Sequence, residues 1–202
     1  MLFVILLIVL ILFVTLFVTF LVMLRRMDFE IFRNLCSKKV KRISKRRKLS
    51  CLTDLNLSNF DSEKLSVNQV IFGKKYIYII SNFLLKGFIS GEEKDNSWVY
   101  FNNITKQTHY LDNLYALSDK NMQDFAGILQ ISPDPIVSIC LVPNECDFKI
   151  GGTKNNKNII VHYSSLTKAI RRLEKNDIGE LDQNEIEEEF KLIKAKNEEG
   201  SR

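Results

Sequence analysis

The side chains best able to do chemistry in this chain are few and widely scattered. The four cysteines form no CxxC pair and have no histidine at ligand spacing, so the sequence predicts no zinc site. His109 and His162 lie far apart, and neither has a Cys or Ser at a triad spacing. Gly151-Gly152 lacks the GxxxxGK[ST] context of a phosphate loop. These patterns favour none of the corresponding enzyme classes.

The densest charged feature is a basic stretch, SKKVKRISKRRKLS, at residues 37–50, which contains eight Lys/Arg. Residues 25–50 hold 11 Lys/Arg against Asp28 and Glu30, a net charge of +9. Taking these from the 29 bases and 24 acids of the chain leaves 18 bases and 22 acids in residues 51–202, a net charge of −4. The high isoelectric point therefore belongs to one short segment, which argues against a basic nucleic-acid-binding domain.

Three interpretations of the basic stretch compete. In the first, the charges fix the orientation of a membrane protein and do nothing more. In the second they bind anionic lipid headgroups, and in the third they contact the phosphates of a nucleic acid. Nearness to an apolar segment favours the first two together, and Phe29, Phe32, Leu35, Val40 and Ile43 are compatible with a helix lying on a membrane. The predicted membrane-surface or phosphate-binding residues are Arg25, Arg26, Lys38, Lys39, Lys41, Arg42, Lys45, Arg46, Arg47 and Lys48.

The apolar segment precedes the basic one. From Leu2 to Leu24 every residue is Leu, Ile, Val, Phe or Met, apart from Thr15 and Thr19. As a helix this run would extend about 34 Å, enough to cross a hydrocarbon core of about 30 Å. A cleaved signal peptide would need preceding positive charge and a small-residue cleavage site, which the run lacks. The sequence therefore predicts a single-pass transmembrane helix over residues 1–24 in the cell membrane, with the N-terminus outside and the remainder cytoplasmic.

After a basic juxtamembrane segment at 25–50, the pattern predicts an α/β or α+β domain over residues 51–176 and a charged helix or tail over 177–202. Runs of apolar and β-branched residues predict strands at 52–57, 67–72, 76–80, 87–90, 98–101, 136–142 and 159–162. Helices are predicted over 113–130, with Pro residues following, and after a capping Ser164 or Ser165. Strands that meander and then alternate with helices indicate a mixed sheet flanked by helices.

Residues 67–98, VNQVIFGKKYIYIISNFLLKGFISGEEKDNSW, resemble the nuclease-related domain (NERD) family. Gly73, Gly87, Gly91 and Trp98 fall at the family's spacing, and the resemblance extends over roughly residues 51–173. It implies a restriction-endonuclease-like fold of the PD-(D/E)xK type, in which an Asp on one strand and a Glu on the next chelate Mg²⁺ while a Lys beside the Glu helps to activate water.

The chain departs from that family at the residues that carry the chemistry. The family's Asp position is Asn68, its neighbouring His is Gln69, its Glu position is Ser81 and its Lys position is Phe83. An amide, a hydroxyl and a phenyl ring supply neither the negative charge that holds Mg²⁺ nor a cationic stabiliser. The sequence therefore favours a protein without enzymatic activity, with no catalytic residue, metal or cofactor.

The resulting hypothesis is a membrane-anchored, catalytically inactive binding or scaffold module, whose partners are the lipid bilayer, anionic headgroups and a protein. Two alternatives stay open. One is a membrane-tethered, Mg²⁺-dependent nuclease that uses displaced carboxylates, drawn from Asp54, Asp61, Glu63, Glu92, Glu93 and Asp95. The other is a tether that binds DNA through the basic segment.

Overall fold

A computed structural model of the chain describes residues 2–58, 64–152, 157–175 and 181–199, with the side chains of residues 10–19 and 28–47 described in the first helix. The chain divides into two compact units, Met1–Leu35 and Cys36–Arg202. The elements are α1 (Leu2–Arg47), β1 (Ser50–Ser58), β2 (Lys64–Phe72), β3 (Ile77–Asn82), β4 (Gly87–Glu92), β5 (Ser97–Asn102), β6 (Thr108–Asp112), α2 (Leu114–Leu129), β7 (Ile136–Val142), β8 (Asp147–Gly151), β9 (Asn158–His162), a 3₁₀ turn (Tyr163–Ser165), α3 (Leu166–Leu173) and α4 (Gln183–Glu199).

The predicted transmembrane helix is not confirmed. Within the ranges described above, no helix is long and apolar enough to cross a membrane. Nor does the helix end with the apolar run, since α1 continues from Leu2 through the basic residues to Arg47. The prediction of a single-pass protein of the cell membrane, with an outside N-terminus and a cytoplasmic domain, is therefore wrong.

The second unit contains a five-stranded sheet in the order β1-β2-β3-β7-β9. The first three strands are antiparallel neighbours, whereas β7 and β9 run parallel to β3. All seven residues of β7 are buried. This explains why the sequence from Ile136 to Val142 is almost continuously apolar, since a central strand covered on both faces has no polar side.

A second, four-stranded sheet has the order β6-β5-β4-β8 and is also mixed, because β8 runs parallel to β4. The sequence did not predict β6 or β8. Most side chains in these two strands are exposed or half-buried, so neither strand has the strong apolar signal of β3 or β7. The domain is therefore α+β with two mixed sheets, rather than the single sheet that the sequence predicted.

The largest core lies between the first sheet and the helices α2 and α4. Met122, Phe125 and Leu129 of α2 are buried there, at the spacing that places them on one helix face. The helix predicted over 113–130 is α2, and its cap is Asn113, whose side chain accepts hydrogen bonds from the backbone N–H groups of Tyr115 and Ala116. By contrast, α3 follows a 3₁₀ turn, and Ser165 at its start makes no side-chain capping bond.

Candidate functional site

The two positions that the resemblance assigns to metal-binding carboxylates lie on neighbouring strands. Gln69 of β2 pairs with Ile80 of β3, so Asn68 and Ser81 are the next residues along this ladder. Ser81 in turn pairs with Cys140 of β7. Three adjacent strands therefore bring an amide, a hydroxyl and a thiol side chain into one row, with no charged group among them.

Asn68 also lies where the pairing of β1 with β2 is interrupted. The register passes directly from the pair Thr53 and Gln69 to the pair Leu55 and Val67, across Asp54 and Asn68. Asp54 has a left-handed backbone (φ 58°), which Asp tolerates better than most residues. Leu52, which precedes the interruption, packs against the same core as Leu55 and Leu57, which follow it. Leu52 and Leu55 are an odd number of positions apart. In a regular strand such residues would face opposite sides.

The side chain of Asn68 has a structural partner. Its Oδ1 atom accepts a hydrogen bond from the backbone N–H of Asn82 at 2.7 Å. The next residue, Gln69, is fully buried, and neither its Oε1 nor its Nε2 atom has a hydrogen-bond partner among the described residues. The position that would hold a metal-binding Asp thus ties β2 to the end of β3 by an amide oxygen.

Ser81 and Phe83 lie beside a buried and uncharged environment. The ring of Phe83 packs against the second core cluster, which includes Trp98 and Tyr115. The thiol of Cys140 lies 3.2 Å from the Ser118 hydroxyl, and burial raises the pKa of Cys140 to about 11, partly offset by that hydrogen bond. A neutral thiol is a poor nucleophile and a poor metal ligand, because the thiolate is the reactive form.

The carboxylates considered as replacements do not gather at this row of residues. Glu92 and Asp95 belong to the turn between β4 and β5, where an Asp95 carboxylate oxygen accepts a hydrogen bond from the Glu92 backbone N–H at 2.8 Å. Asp61 and Glu63 lie outside the described residues. Asp54 is exposed on β1, opposite Asn68. Over the described ranges, no group of three or more His, Cys, Asp or Glu side chains could hold a metal ion.

The two histidines and the tryptophan have structural surroundings. His109 is exposed on β6 and stacks on Tyr100, with ring centroids 6.3 Å apart. His162, at the end of β9, makes a 2.7 Å hydrogen bond between its Nε2 atom and the Cys146 carbonyl. Trp98 is fully buried and donates from Nε1 to the Glu92 carbonyl at 2.9 Å, which indicates a packing role.

The basic residues predicted to bind lipid or phosphate are distributed along α1. Arg25 and Arg26 lie where side chains are not described. From Cys36 onward, the helix belongs to the same unit as the sheets, and its apolar stripe of Cys36, Val40 and Ile43 is buried. Burial raises the pKa of the Cys36 thiol to about 12, although the Lys39 charge opposes this. The exposed bases of this part of α1 are Lys38, Lys41, Arg42, Lys45, Arg46 and Lys48, while Arg47 is half-buried.

Lys39 differs from the other predicted bases because it has partners within the domain. Its Nζ atom donates to the carbonyl oxygens of Tyr163 and, at 3.2 Å, Ser164. The same ammonium lies 4.1 Å from the centroid of the Tyr163 ring. Burial lowers the pKa of Lys39, partly offset by Cys36. This lysine therefore joins α1 to the 3₁₀ turn that begins α3.

Sequence reasoning did not identify a second group of bases, on and just after α3. Lys168, Arg171, Arg172 and Lys175 are all exposed, whereas Leu166, Ile170 and Leu173 are buried. The signal was present in the sequence as an amphipathic pattern, apolar at i, i+4 and i+7 with bases between. That pattern alone predicts a helix, and nothing in the sequence shows that α1 contacts the turn at its start.

No family model, curated protein or solved structure matches this chain.

Proposed function

We propose that the second unit is a non-catalytic binding module related to the nuclease-related domain, with its metal site replaced by neutral residues. The observation that carries the proposal is the hydrogen bond from the Asn82 backbone N–H to Asn68 Oδ1, in a row where Ser81 and Cys140 are also uncharged. Hydrolysis of a phosphodiester at a metal centre needs carboxylates to hold the ion. In this row the Asn68 side chain joins β2 to the end of β3, and none of the three side chains carries the negative charge that a metal ion requires.

The placement of Asn68 and Ser81 on neighbouring strands supports the relationship, because the resemblance puts an Asp and a Glu on adjacent strands at these positions. Phe83 supports the loss of catalysis. Its ring is half-buried and packs against the second core cluster, so the position that would carry a Lys contributes apolar packing. What remains is a framework without the hydrolytic groups.

The test introduces carboxylates at positions 68 and 81, where the resemblance places an Asp and a Glu, and measures metal binding. The double variant Asn68→Asp with Ser81→Glu keeps Phe83, so the core packing around that ring is preserved. We expect the unaltered protein to show no saturable binding of Mn²⁺ in calorimetric titration, and the double variant to bind it. The matched control is Asn68→Asp with Ser81→Gln, which has similar size but one carboxylate fewer and should bind Mn²⁺ more weakly. A double variant that folds and binds no Mn²⁺ would show that the site is misplaced.

The nuclease alternative is tested on the same preparations. We expect the unaltered protein to leave supercoiled and single-stranded DNA intact in the presence of Mg²⁺ or Mn²⁺. Cleavage that EDTA abolishes and that Asp54→Asn removes would refute the proposal and establish a site built on a displaced carboxylate. Asp112→Asn, at an exposed carboxylate on β6, is the control for non-specific effects of losing a negative charge.

A further inference from the structure

The face of the first sheet opposite α2 and α4 is contacted by the end of α3. Ile77 and Ile79 of β3 point into the core covered by α2 and α4. Because side chains alternate along a strand, Tyr78 and Ile80 point to the other face. The Tyr78 hydroxyl donates to the Glu174 carboxylate, directly after α3, at 2.6 Å. The end of α3 therefore lies over this other face.

The second half of α1 contacts the turn that begins α3. The Lys39 ammonium of α1 donates to the Tyr163 and Ser164 carbonyls and lies 4.1 Å from the centroid of the Tyr163 ring. These contacts bring the basic residues of α1 to the start of α3.

This pair of helices has a charge that the rest of the domain does not share. Residues 36–48 contain eight Lys/Arg and no acid, and residues 163–175 contain four Lys/Arg and a single acid, Glu174. That one carboxylate is engaged by the Tyr78 hydroxyl and, at 3.3 Å, by the backbone N–H of Lys74. On the other side of the sheet, α4 (residues 183–199) contains six Glu against three Lys. The domain is thus strongly polarised, with its positive charge on the surface of α1 and α3.

The apolar residues of both helices are turned inward. Val40 and Ile43 of α1 and Leu166 and Ile170 of α3 are buried, and neither residues 36–48 nor 163–175, all of which are described, contain an exposed large apolar side chain. A helix that inserts into a membrane surface needs an exposed apolar face as well as charge. A surface with charge alone suits a ligand whose phosphates lie outermost, such as the backbone of a nucleic acid.

We propose that the basic surface formed by residues 36–48 and 163–175 binds the phosphate backbone of nucleic acid without reading its sequence. This inference names a ligand for the proposed binding module, and so it rests on the proposed function. The exposed bases that form the surface are Lys38, Lys41, Arg42, Lys45, Arg46, Lys48, Lys168, Arg171, Arg172 and Lys175. It lies on a different face from α2 and needs neither metal nor catalysis.

The experiment measures binding of the full chain to a labelled DNA duplex by fluorescence anisotropy in EDTA, at a series of salt concentrations. Each phosphate contact contributes about −0.9 to the slope of log K against log salt concentration. One variant reverses two bases of α1, Lys41→Glu with Lys45→Glu. A second reverses two bases of α3, Lys168→Glu with Arg172→Glu. All four side chains are exposed, so the reversals remove no packing.

We expect each reversed pair to make the slope shallower by about 2 and to weaken binding roughly 60-fold at about 0.1 M salt, since one contact contributes about eightfold there relative to 1 M. The matched control is Lys191→Glu with Lys194→Glu, an exposed pair on α4 that makes the same change in total charge on the opposite side of the sheet. This control should change affinity by less than about threefold, because exposed charges beyond a Debye length of about 10 Å are largely screened.

Three results would overturn the inference: no duplex binding at about 50 mM salt, an α3 pair that behaves like the α4 control, or binding to vesicles of phosphatidylcholine and phosphatidylserine with none to the duplex. The α3 result is the most telling, because a basic segment acting alone would depend only on α1. The two proposals fail separately. Cleavage sensitive to EDTA refutes the inactive site and leaves the binding surface standing, whereas absent duplex binding refutes the surface alone.

Discussion

Lys39→Met tests whether this lysine stabilises the docking of α1. Methionine keeps a similar unbranched side chain but loses the ammonium, which donates to two carbonyl groups and lies over the Tyr163 ring. Hydrogen bonds from a charged group are each worth about 1.5–3 kcal/mol, and a cation–π contact about 0.5–2 kcal/mol. Because Lys39 is only half-buried, values near the low end apply, and the contacts are not additive. We expect the free energy of unfolding to fall by about 2 kcal/mol.

The assay follows the thiol of Cys36, which lies one helical turn before Lys39 and is fully buried. In a Cys51→Ser background, the half-buried thiol is absent and the remaining cysteines are all buried. If labelling requires α1 to open locally, a loss of about 2 kcal/mol raises the labelling rate of Cys36 about 30-fold. Peptide mapping by mass spectrometry assigns the labelled residue. Urea unfolding of the same protein gives the change in the free energy of global unfolding.

Lys41→Met is the control, since it removes an exposed ammonium on the same helix. It should leave Cys36 labelling within about twofold of the parent, because surface charges away from such contacts change stability by about 0.5 kcal/mol or less. Equal labelling rates in the Lys39 and Lys41 variants would refute the reasoning. They would mean that the stripe of buried apolar residues alone holds α1 in place.

Two further predictions concern the domain itself. Asn113→Ala removes the cap of α2 and the two hydrogen bonds that its Nδ2 atom donates to the Glu93 and Asp95 carbonyls, at 2.8 and 2.7 Å. In urea unfolding, the free energy of unfolding should fall by about 2–4 kcal/mol. Asn113→Asp should give an intermediate loss, because it keeps the oxygen that accepts the capping hydrogen bonds. A loss below about 1 kcal/mol for Asn113→Ala would contradict the proposed role. Burial, together with the Glu174 hydrogen bond, raises the pKa of Tyr78 well above its usual 10.0. The contribution of Tyr78 to the free energy of unfolding is therefore complete below pH 10. It is lost as the pH rises further, because the tyrosine ionises first in the unfolded chain. Tyr78→Phe should therefore make the decline in stability above pH 10 shallower by up to about 1.4 kcal/mol per pH unit, and equal slopes in the two proteins would contradict this.

Several elements could be predicted from local sequence because their signal is local. The run from Ile136 to Val142 and the paired runs around Gly73 are strands in the structure, and the helix predicted over 113–130 is α2, Leu114–Leu129. Strands β6 and β8 could not be predicted in this way. Their side chains are largely exposed or half-buried, and their backbone groups are satisfied by distant partners, β5 and β4, which the local sequence does not contain.

The candidate site shows the same division. The sequence was sufficient to place neutral residues at 68, 81 and 83, because side-chain chemistry is read directly from residue type. It did not show that the Asn68 amide oxygen would be engaged by the Asn82 backbone, nor that β1 and β2 are interrupted there, since both depend on the register of three strands. The predicted transmembrane helix is not confirmed, since no helix among the described residues is long and apolar enough to cross a membrane, and α1 continues to Arg47.

The sequence by itself determined how much positive charge the chain carries and that eight of its 29 Lys/Arg fall within residues 37–48, since charge is a property of residue type. Only the tertiary structure decided what that charge does. Packing turned Val40 and Ile43 into the domain, committed Lys39 to the Tyr163 and Ser164 carbonyls, and brought the bases of α3 beside those of α1 across 125 residues of chain. A surface made by two distant segments exists only once both have docked on the same sheet, so no reading of either segment alone could have found it.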